Sequence, residues 1–256
     1  MRYVQSVSRA LRLLDTLAEA GTPMSLQELS NRTELHASTA HRLLRTLLQH
    51  RYVSQDPDTK KYDLGIGIVE LASGLKLVAK LRAEAESFVD SLAKEVGETV
   101  NLVVPHGQKC MVIDRVESVH MLRCSMPVGA SMPLHCTAAG KALLAYMPKE
   151  EAEEIMRGKL EALTSNTITD GHQLREELRS IRAQGYSVDC GERDPEIRCV
   201  AAPIRDGSGS IVASMSVSAP GSRLSPSDLK GMAERVRRTA ALISSALGYR
   251  PREPQG

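Results

Sequence analysis

Tryptophan is absent from this 256-residue chain and phenylalanine occurs once. Its cores must therefore be aliphatic, and it lacks the aromatic platforms on which single-stranded nucleic acid stacks. No apolar run reaches the roughly 18 residues that a membrane-spanning helix needs, so no membrane partner is expected. Five cysteines (Cys110, Cys124, Cys136, Cys190 and Cys199) are an odd number at irregular spacing with no CxxC pair. They do not read as a disulfide framework, and a reducing cytoplasm fits them best. The opening Met1-Arg2-Tyr3-Val4-Gln5-Ser6 does not read as a signal peptide, because its apolar positions are helically periodic and interrupted by Arg and Gln. Net charge is only +2, so any contact with nucleic acid must come from a local patch.

The most informative absence is local. From Leu35 to Gln55 there is no Asp or Glu, beside three arginines and three histidines. Ala40, Leu43, Leu44, Leu47 and Leu48 recur there at i, i+3, i+4, i+7 and i+8, an apolar stripe that faces a core. The opposite face carries Ser38, Thr39, His41, Arg42, Arg45, Thr46 and Gln49, side chains that reach phosphates and base edges in a DNA groove. A solvated amphipathic helix has the same periodicity, and the flanking sequence argues against that plainer reading. Upstream, Val7, Ala10, Leu11, Leu14, Leu17 and Ala18 form a helical stripe broken at Gly21-Thr22-Pro23. Ser25 and Glu28 have capping-box spacing and open a short helix with Leu26 and Leu29. The turn Asn31 to Leu35 then leads into the basic helix. Downstream, Asp56-Pro57-Asp58-Thr59 fits a type I turn between Tyr52–Gln55 and Lys60–Leu64, a hairpin wing with Lys60 and Lys61 placed to meet phosphate oxygens. Three helices and a basic hairpin predict a winged helix-turn-helix over residues 1–66.

Residues 67–81 read as a linker helix through Ile66, Val69, Leu71, Ala72, Leu75 and Val78, more apolar than a lone connector needs and suited to a second subunit. A domain over 82–248 follows, opened by a helix near 83–96. Thr99–Pro105, Cys110–Val116 and Met121–Met126 read as strands, then helices at Thr137–Met147, Lys149–Arg157 and Gly171–Gln184. Strands return at Tyr186–Asp189, Cys199–Arg205 and Ile211–Ala219, and a last helix covers Ser225–Leu247. The expected architecture is α+β, an antiparallel sheet with helices packed on it. Residues 249–256 read as a flexible tail.

Small residues at Cys136-Thr137-Ala138-Ala139-Gly140 suit either a cradle for a carboxylate at a helix start or close packing of that helix on the sheet. Ser216 and Ser218 alternate on one strand face. Asp189, at a strand end, suits a ligand hydrogen bond or a cap or salt bridge with Arg193 or Arg198.

The chain resembles the IclR-type transcriptional regulators. The resemblance rests on Ser38-Thr39-Ala40-His41-Arg42-Leu43-Leu44, Tyr62-Asp63-Leu64-Gly65, Gly97-Glu98-Thr99-Val100-Asn101-Leu102, Pro133-Leu134-His135 with Ala139-Gly140-Lys141-Ala142, Arg198 to Ile204, and Ser216-Val217-Ser218. It implies a winged helix-turn-helix joined to a GAF-like α+β antiparallel-sheet domain, with a small organic or aromatic acid as effector; no cofactor is expected, and the cysteine and histidine spacing lacks the tight ligand pairs of a structural metal site. It also implies that effector contacts come from the backbone of Ala138 and Ala139 and from Asp189, Cys199, Ser216 and Ser218, with Met121, Cys124, Met132 and Ile197 as an apolar wall. Ala138 stands where relatives often have Gly, and Cys190-Gly191 and Pro195-Glu196 depart from the family pattern, so no relative's effector is carried over.

The expected function is a homodimeric or homotetrameric DNA-binding regulator, reading a pseudo-palindromic operator with half-sites about one helical turn apart under allosteric control by the effector. One alternative is a redox- or metal-responsive regulator on the same scaffold, drawing on Cys124, Cys136, Cys190, Cys199, His120 and His135. Another is an enzyme with Cys199 or Ser216 as nucleophile and His135 close in space, although no nucleophile elbow, P-loop or dinucleotide fingerprint is present.

Overall fold

A computed structural model describes residues 3–250 apart from residue 125. It divides into two compact units, one up to Ala79 and one from Lys80 on. Residues 251–256, most of the expected tail, lie outside the described residues.

In the first unit, α1 (Gln5–Ala20) stops at Gly21, which takes a left-handed φ of 59° while its N–H donates to the Leu17 carbonyl. The capping box then forms as its spacing requires. The Ser25 hydroxyl accepts from the Glu28 amide, and the Glu28 carboxylate accepts from the Ser25 amide at 2.7 Å, opening α2 (Leu26–Thr33). After a left-handed Glu34 comes α3 (Ala37–Gln49). Leu13, Leu17, Leu29, Ala40 and Leu44 are buried together in an aliphatic core.

Strands β1 (Val53–Gln55) and β2 (Tyr62–Leu64) pair antiparallel as the wing, and Met24 bridges to Tyr62 through two backbone hydrogen bonds of 2.8 and 2.7 Å. In the turn between them the Asp56 carboxylate accepts from the amides of Asp58 and Thr59. Both strands are shorter than the sequence predicts, and Lys60 and Lys61 fall in the connection rather than the ladder. Gly65 follows, where a side-chain carbon would sit 2.2 Å from the Arg51 carbonyl oxygen, so no other residue fits.

The linker differs from expectation. It is two helices, α4 (Gly67–Ser73) and α5 (Lys76–Val96), with a break at Gly74-Leu75. Glycine loses most conformational freedom in a helix and marks the break. No Gly or Pro interrupts Lys76–Val96, so the helix expected near 83–96 is continuous with the end of the linker.

The second unit is built on a six-stranded sheet in the order β5-β4-β3-β8-β7-β6, every pair antiparallel. The strands are β3 (Thr99–His106), β4 (Lys109–Val116), β5 (Ser131–Pro133), β6 (Ser187–Cys190), β7 (Ile197–Arg205) and β8 (Ile211–Pro220). The helices are α6 (Ala138–Leu144), α7 (Lys149–Arg157), α8 (Gly171–Gln184) and α9 (Leu229–Ala246). α6 packs on the sheet through Leu143, and α7 and α8 complete that cluster through Met156, Leu174 and Leu178.

Two expectations fail here. Met121–Met126 supplies no strand among its described residues. Met121 is 98% exposed, Arg123 pairs with Glu117 at 2.8 Å, and Ser131–Pro133 takes the sheet edge through Cys110 and Met132. The last helix begins at Leu229 rather than Ser225, because a tight turn closes ahead of it: the Ser225 amide donates to the Asp228 carboxylate and the Asp228 amide to the Ser225 carbonyl. Among the described residues, no helix is long and apolar enough to cross a membrane.

Candidate functional site

On the first unit, the stripe of α3 that enters the core leaves the other face to solvent. Ser38, His41, Arg42, Arg45 and Thr46 are exposed there, and Thr39 is half-buried. Neither Arg42 nor Arg45 has an ion-pair partner among the described residues, and α3 carries no carboxylate. Lys60 and Lys61 are exposed at the wing tip, with the Lys60 ammonium donating to the Pro57 carbonyl at 2.6 Å. These groups form a cationic surface held on a rigid helix and a hairpin, able to accept a phosphate backbone.

The second unit encloses a cavity of about 200 Å³. Its floor is set by register. Thr99, Ser218 and Cys199 stand side by side across β3, β8 and β7, and Asp189 of β6 continues that row. Asn101, Ser216 and Ala201 form the next row. Residues two apart on a strand share a face, so these side chains all point to the α6 side. The start of α6 roofs them, tied down by serine hydroxyls: Ser187 donates to the Ala138 carbonyl at 2.6 Å and Ser214 to the Ala139 carbonyl at 3.0 Å.

Of the residues implicated by the resemblance, Cys124, Met132, Ala138, Ala139, Asp189, Ile197, Cys199, Ser216 and Ser218 line this one cavity. Met121 does not; it projects from the loop after β4 into solvent. Both readings of the small-residue stretch find a place. A side chain at Gly140 would meet the Leu134 carbonyl oxygen at 2.5 Å, which is close packing, while Ala138 and Ala139 border the cavity.

The cavity also has lining residues that were not among the expected effector contacts: Asn101, Val103, Arg123, Thr137, Arg193 and Asp194. Asn101 had one signal, a lone amide within the apolar run Thr-Val-Asn-Leu-Val-Val. Asp189 takes a local role as well, since its carboxylate accepts from the Glu192 amide at 2.7 Å, and it forms no ion pair with Arg198, which bonds the carbonyls of Gly221 and Leu224. Burial raises the Asp189 carboxyl to about 6.

Beside the cavity runs a buried charge network that sequence reasoning missed altogether. Lys141 of α6 is 1% exposed and donates to Glu192 at 2.5 Å and to Glu177 at 3.0 Å. Burial pushes Glu192 up to about 7, against the pull of Lys141, and one of its oxygens has no hydrogen-bond partner. The loop carrying Glu192 is pinned by Thr164, whose hydroxyl donates to the Gly191 carbonyl at 2.6 Å, and it turns at Gly191 with φ of 84°.

Burial disfavours the thiolate form of the cysteines, the exposed Cys190 included. Burial raises Cys110 and Cys124 to about 11 and Cys136 to about 12, and it raises Cys199 as well. At neutral pH they remain protonated, and the reactive form is the thiolate. Among the described residues no group of three or more His, Cys, Asp or Glu is arranged to hold a metal. The ring of His135 bonds the Glu161 carbonyl at 3.0 Å and does not line the cavity with Cys199 and Ser216.

A winged helix-turn-helix followed by a sheet domain with a cavity of mixed polar and apolar lining is the architecture of a ligand-responsive DNA-binding regulator. The helix-turn-helix model of the IclR family matches residues 6–57, and the model of the bacterial transcriptional regulator IclR C-terminal domain matches residues 77–245. The chain is 35% identical over 248 residues to the transcriptional repressor AllR of Klebsiella pneumoniae, covering 96% of this chain and 91% of that protein. It is 31% identical over 250 residues to the transcriptional regulator XynR of Escherichia coli, covering 97% and 99%. An IclR homolog from Microbacterium hydrocarbonoxydans, crystallised with 4-hydroxybenzoate, superposes with a TM-score of 0.86 at 25% identity, covering 94% of this chain and 98% of that one. The chain belongs to the IclR family of bacterial transcriptional regulators.

Proposed function

We propose that this protein is a cytoplasmic, non-catalytic repressor that binds a pseudo-palindromic operator as a homodimer or homotetramer and changes its hold on DNA when a small organic acid enters the cavity of its second unit. The observation that carries the reading is the acid-free exposed face of α3, with two unpaired arginines, set beside a lysine-tipped wing. Arg42 and Arg45 contact bases or phosphates, Ser38, Thr39, His41 and Thr46 border the groove, and Lys60 and Lys61 hold the backbone. Exposed Val7 and Leu11 of α1 and Val69 and Leu71 of α4 support association with a second copy. Similarity to AllR, named a repressor, supports the sign of regulation. Similarity to a homolog crystallised with 4-hydroxybenzoate supports an acid as effector.

Control follows from linkage. An acid that binds two arrangements of the dimer unequally shifts the population between them, and with it the operator affinity. Fluorescence anisotropy of a labelled duplex from upstream of the protein's own gene tests the proposal. At low ionic strength the duplex is expected to be held, and a small-acid library to contain compounds that change its affinity. A protein that holds no duplex there would overturn the proposal.

A further inference from the structure

One polar atom in the cavity floor lacks the partner that buried groups require. Asn101 is 6% exposed, and its amide nitrogen donates to the Ser218 hydroxyl at 3.3 Å while its carbonyl oxygen has no partner. Ser216, directly across from it on β8, is 4% exposed, and its hydroxyl makes no hydrogen bond among the described residues. Buried polar atoms are nearly always satisfied, and one left without a partner costs about 1–3 kcal/mol. The Ser218 hydroxyl, which accepts from the Asn101 amide nitrogen, also accepts from the Cys199 thiol at 3.1 Å. The Asn101 atom without a partner is the carbonyl oxygen, which only accepts, so a ligand group that pairs with it must donate.

A cation supplies the other half of the recognition. Arg193 lines the same cavity, and its guanidinium reaches the Met126 sulfur at 2.9 Å, joining the loop after β6 to the loop after β4. It has no ion-pair partner among the described residues, unlike Arg123 at the same cavity, which is taken by Glu117. A guanidinium with unused N–H groups is a carboxylate receptor.

We propose that the effector is a small carboxylic acid that also carries a hydrogen-bond donor, a hydroxyl or an N–H, with its carboxylate on Arg193 and its donor on the Asn101 carbonyl oxygen. The volume of about 200 Å³ limits it to a compact molecule, since pockets for drug-sized ligands begin at roughly 300 Å³. The inference rests on the effector reading above and sharpens it. A plain acid such as benzoate leaves Asn101 unpaired, and a site built to hydrogen-bond its ligand discriminates against such analogues.

The test uses the full chain and matched pairs of acids that differ only in the donor: 4-hydroxybenzoate and benzoate, glycolate and acetate, oxamate and pyruvate. Thermal shift ranks them and calorimetry measures affinity. In the wild type, at least one donor-bearing member is expected to bind about tenfold or more tightly than its partner, the scale of one unmet buried hydrogen bond. Asn101→Leu is expected to erase that preference while still binding acids, and Arg193→Gln to weaken both members of a pair together. Equal affinity for both members of every pair in the wild type overturns the inference and leaves the effector reading standing, a result that does not depend on how the variants fold. If no acid binds the wild type, both fall. Asn101→Leu that keeps the wild-type preference overturns the role of Asn101.

Discussion

The Lys141 ammonium, on a helix whose other residues are all apolar, meets the Glu192 carboxylate 2.5 Å away, 51 positions later in the chain. This contact ties α6, which roofs the cavity, to the loop that carries Arg193 over it. Removing one partner of a buried ion pair strands the other charge and costs about 3–5 kcal/mol. Lys141→Ala is therefore expected to lower stability by about that amount in urea denaturation. Lys141→Met combined with Glu192→Gln, which removes both charges at similar volume, is expected to restore most of it. A Lys141→Ala protein as stable as wild type would show that the network contributes nothing.

The same cluster sets a pH dependence. Glu192 rises from its ordinary 4.5 to about 7 and Asp189 from 3.8 to about 6, both chiefly through burial. Lys141 and Arg193 oppose the rise of Asp189, and Lys141 opposes that of Glu192, while Glu177 adds to it. A carboxyl with a raised folded-state value holds its proton better folded than unfolded. Its stabilisation is complete below the unfolded value and is lost as pH climbs through the folded one. Melting temperature is thus expected to fall between about pH 5 and pH 7 through these two groups, and Glu192→Gln to flatten that slope. An identical slope in the variant would remove Glu192 as its source.

In the first unit, the Ser25–Glu28 box fixes where α2 begins, and α2 braces α3 through Leu29 and Leu44. Loss of an N-cap side chain typically costs about 1 kcal/mol. Ser25→Ala is expected to lower the thermal midpoint accordingly, and Ser25→Asp, which still caps, to leave it near wild type. Equal losses in both would point to a cause other than capping.

Local signals reached some parts of this molecule and not others. Where chain chemistry alone ends an element, the limits read from sequence coincide with the structure. Lys149–Arg157 and Gly171–Gln184 are such helices, closed by Gly158 and Gly185, the second in a left-handed turn. Met121–Met126 has strand-like composition but loses the sheet edge to Ser131–Pro133, a competition settled by pairing with β4 and invisible in either segment. The cavity divides the same way. Ser216 and Ser218 announce a shared face by alternation. Asn101 becomes meaningful only when β3 pairs with β8, and Arg193 only when its loop reaches Met126. Lys141 looks like an ordinary exposed helix lysine until α6 is buried against the sheet.

The surface proposed to face DNA yields the most direct prediction. Arg42 and Arg45 are exposed on α3, three positions apart and so on adjacent helix turns. Among the described residues their guanidiniums have no ion-pair partner to release before meeting a phosphate or a guanine. A base contact and a phosphate contact differ in signature. Losing the first costs about 1–3 kcal/mol and relaxes the preference for operator over unrelated duplex, whereas losing the second weakens all duplexes alike and lowers the log–log salt slope by about one. Arg42→Ala and Arg45→Ala are each expected to weaken operator binding about tenfold or more, and anisotropy titrations from low to moderate salt will sort each arginine into one of these two roles. Lys60→Ala and Lys61→Ala, at the wing tip, are expected to follow the phosphate pattern. Unchanged operator affinity in both arginine variants would take α3 out of the interface and leave the wing without a partner helix in the groove.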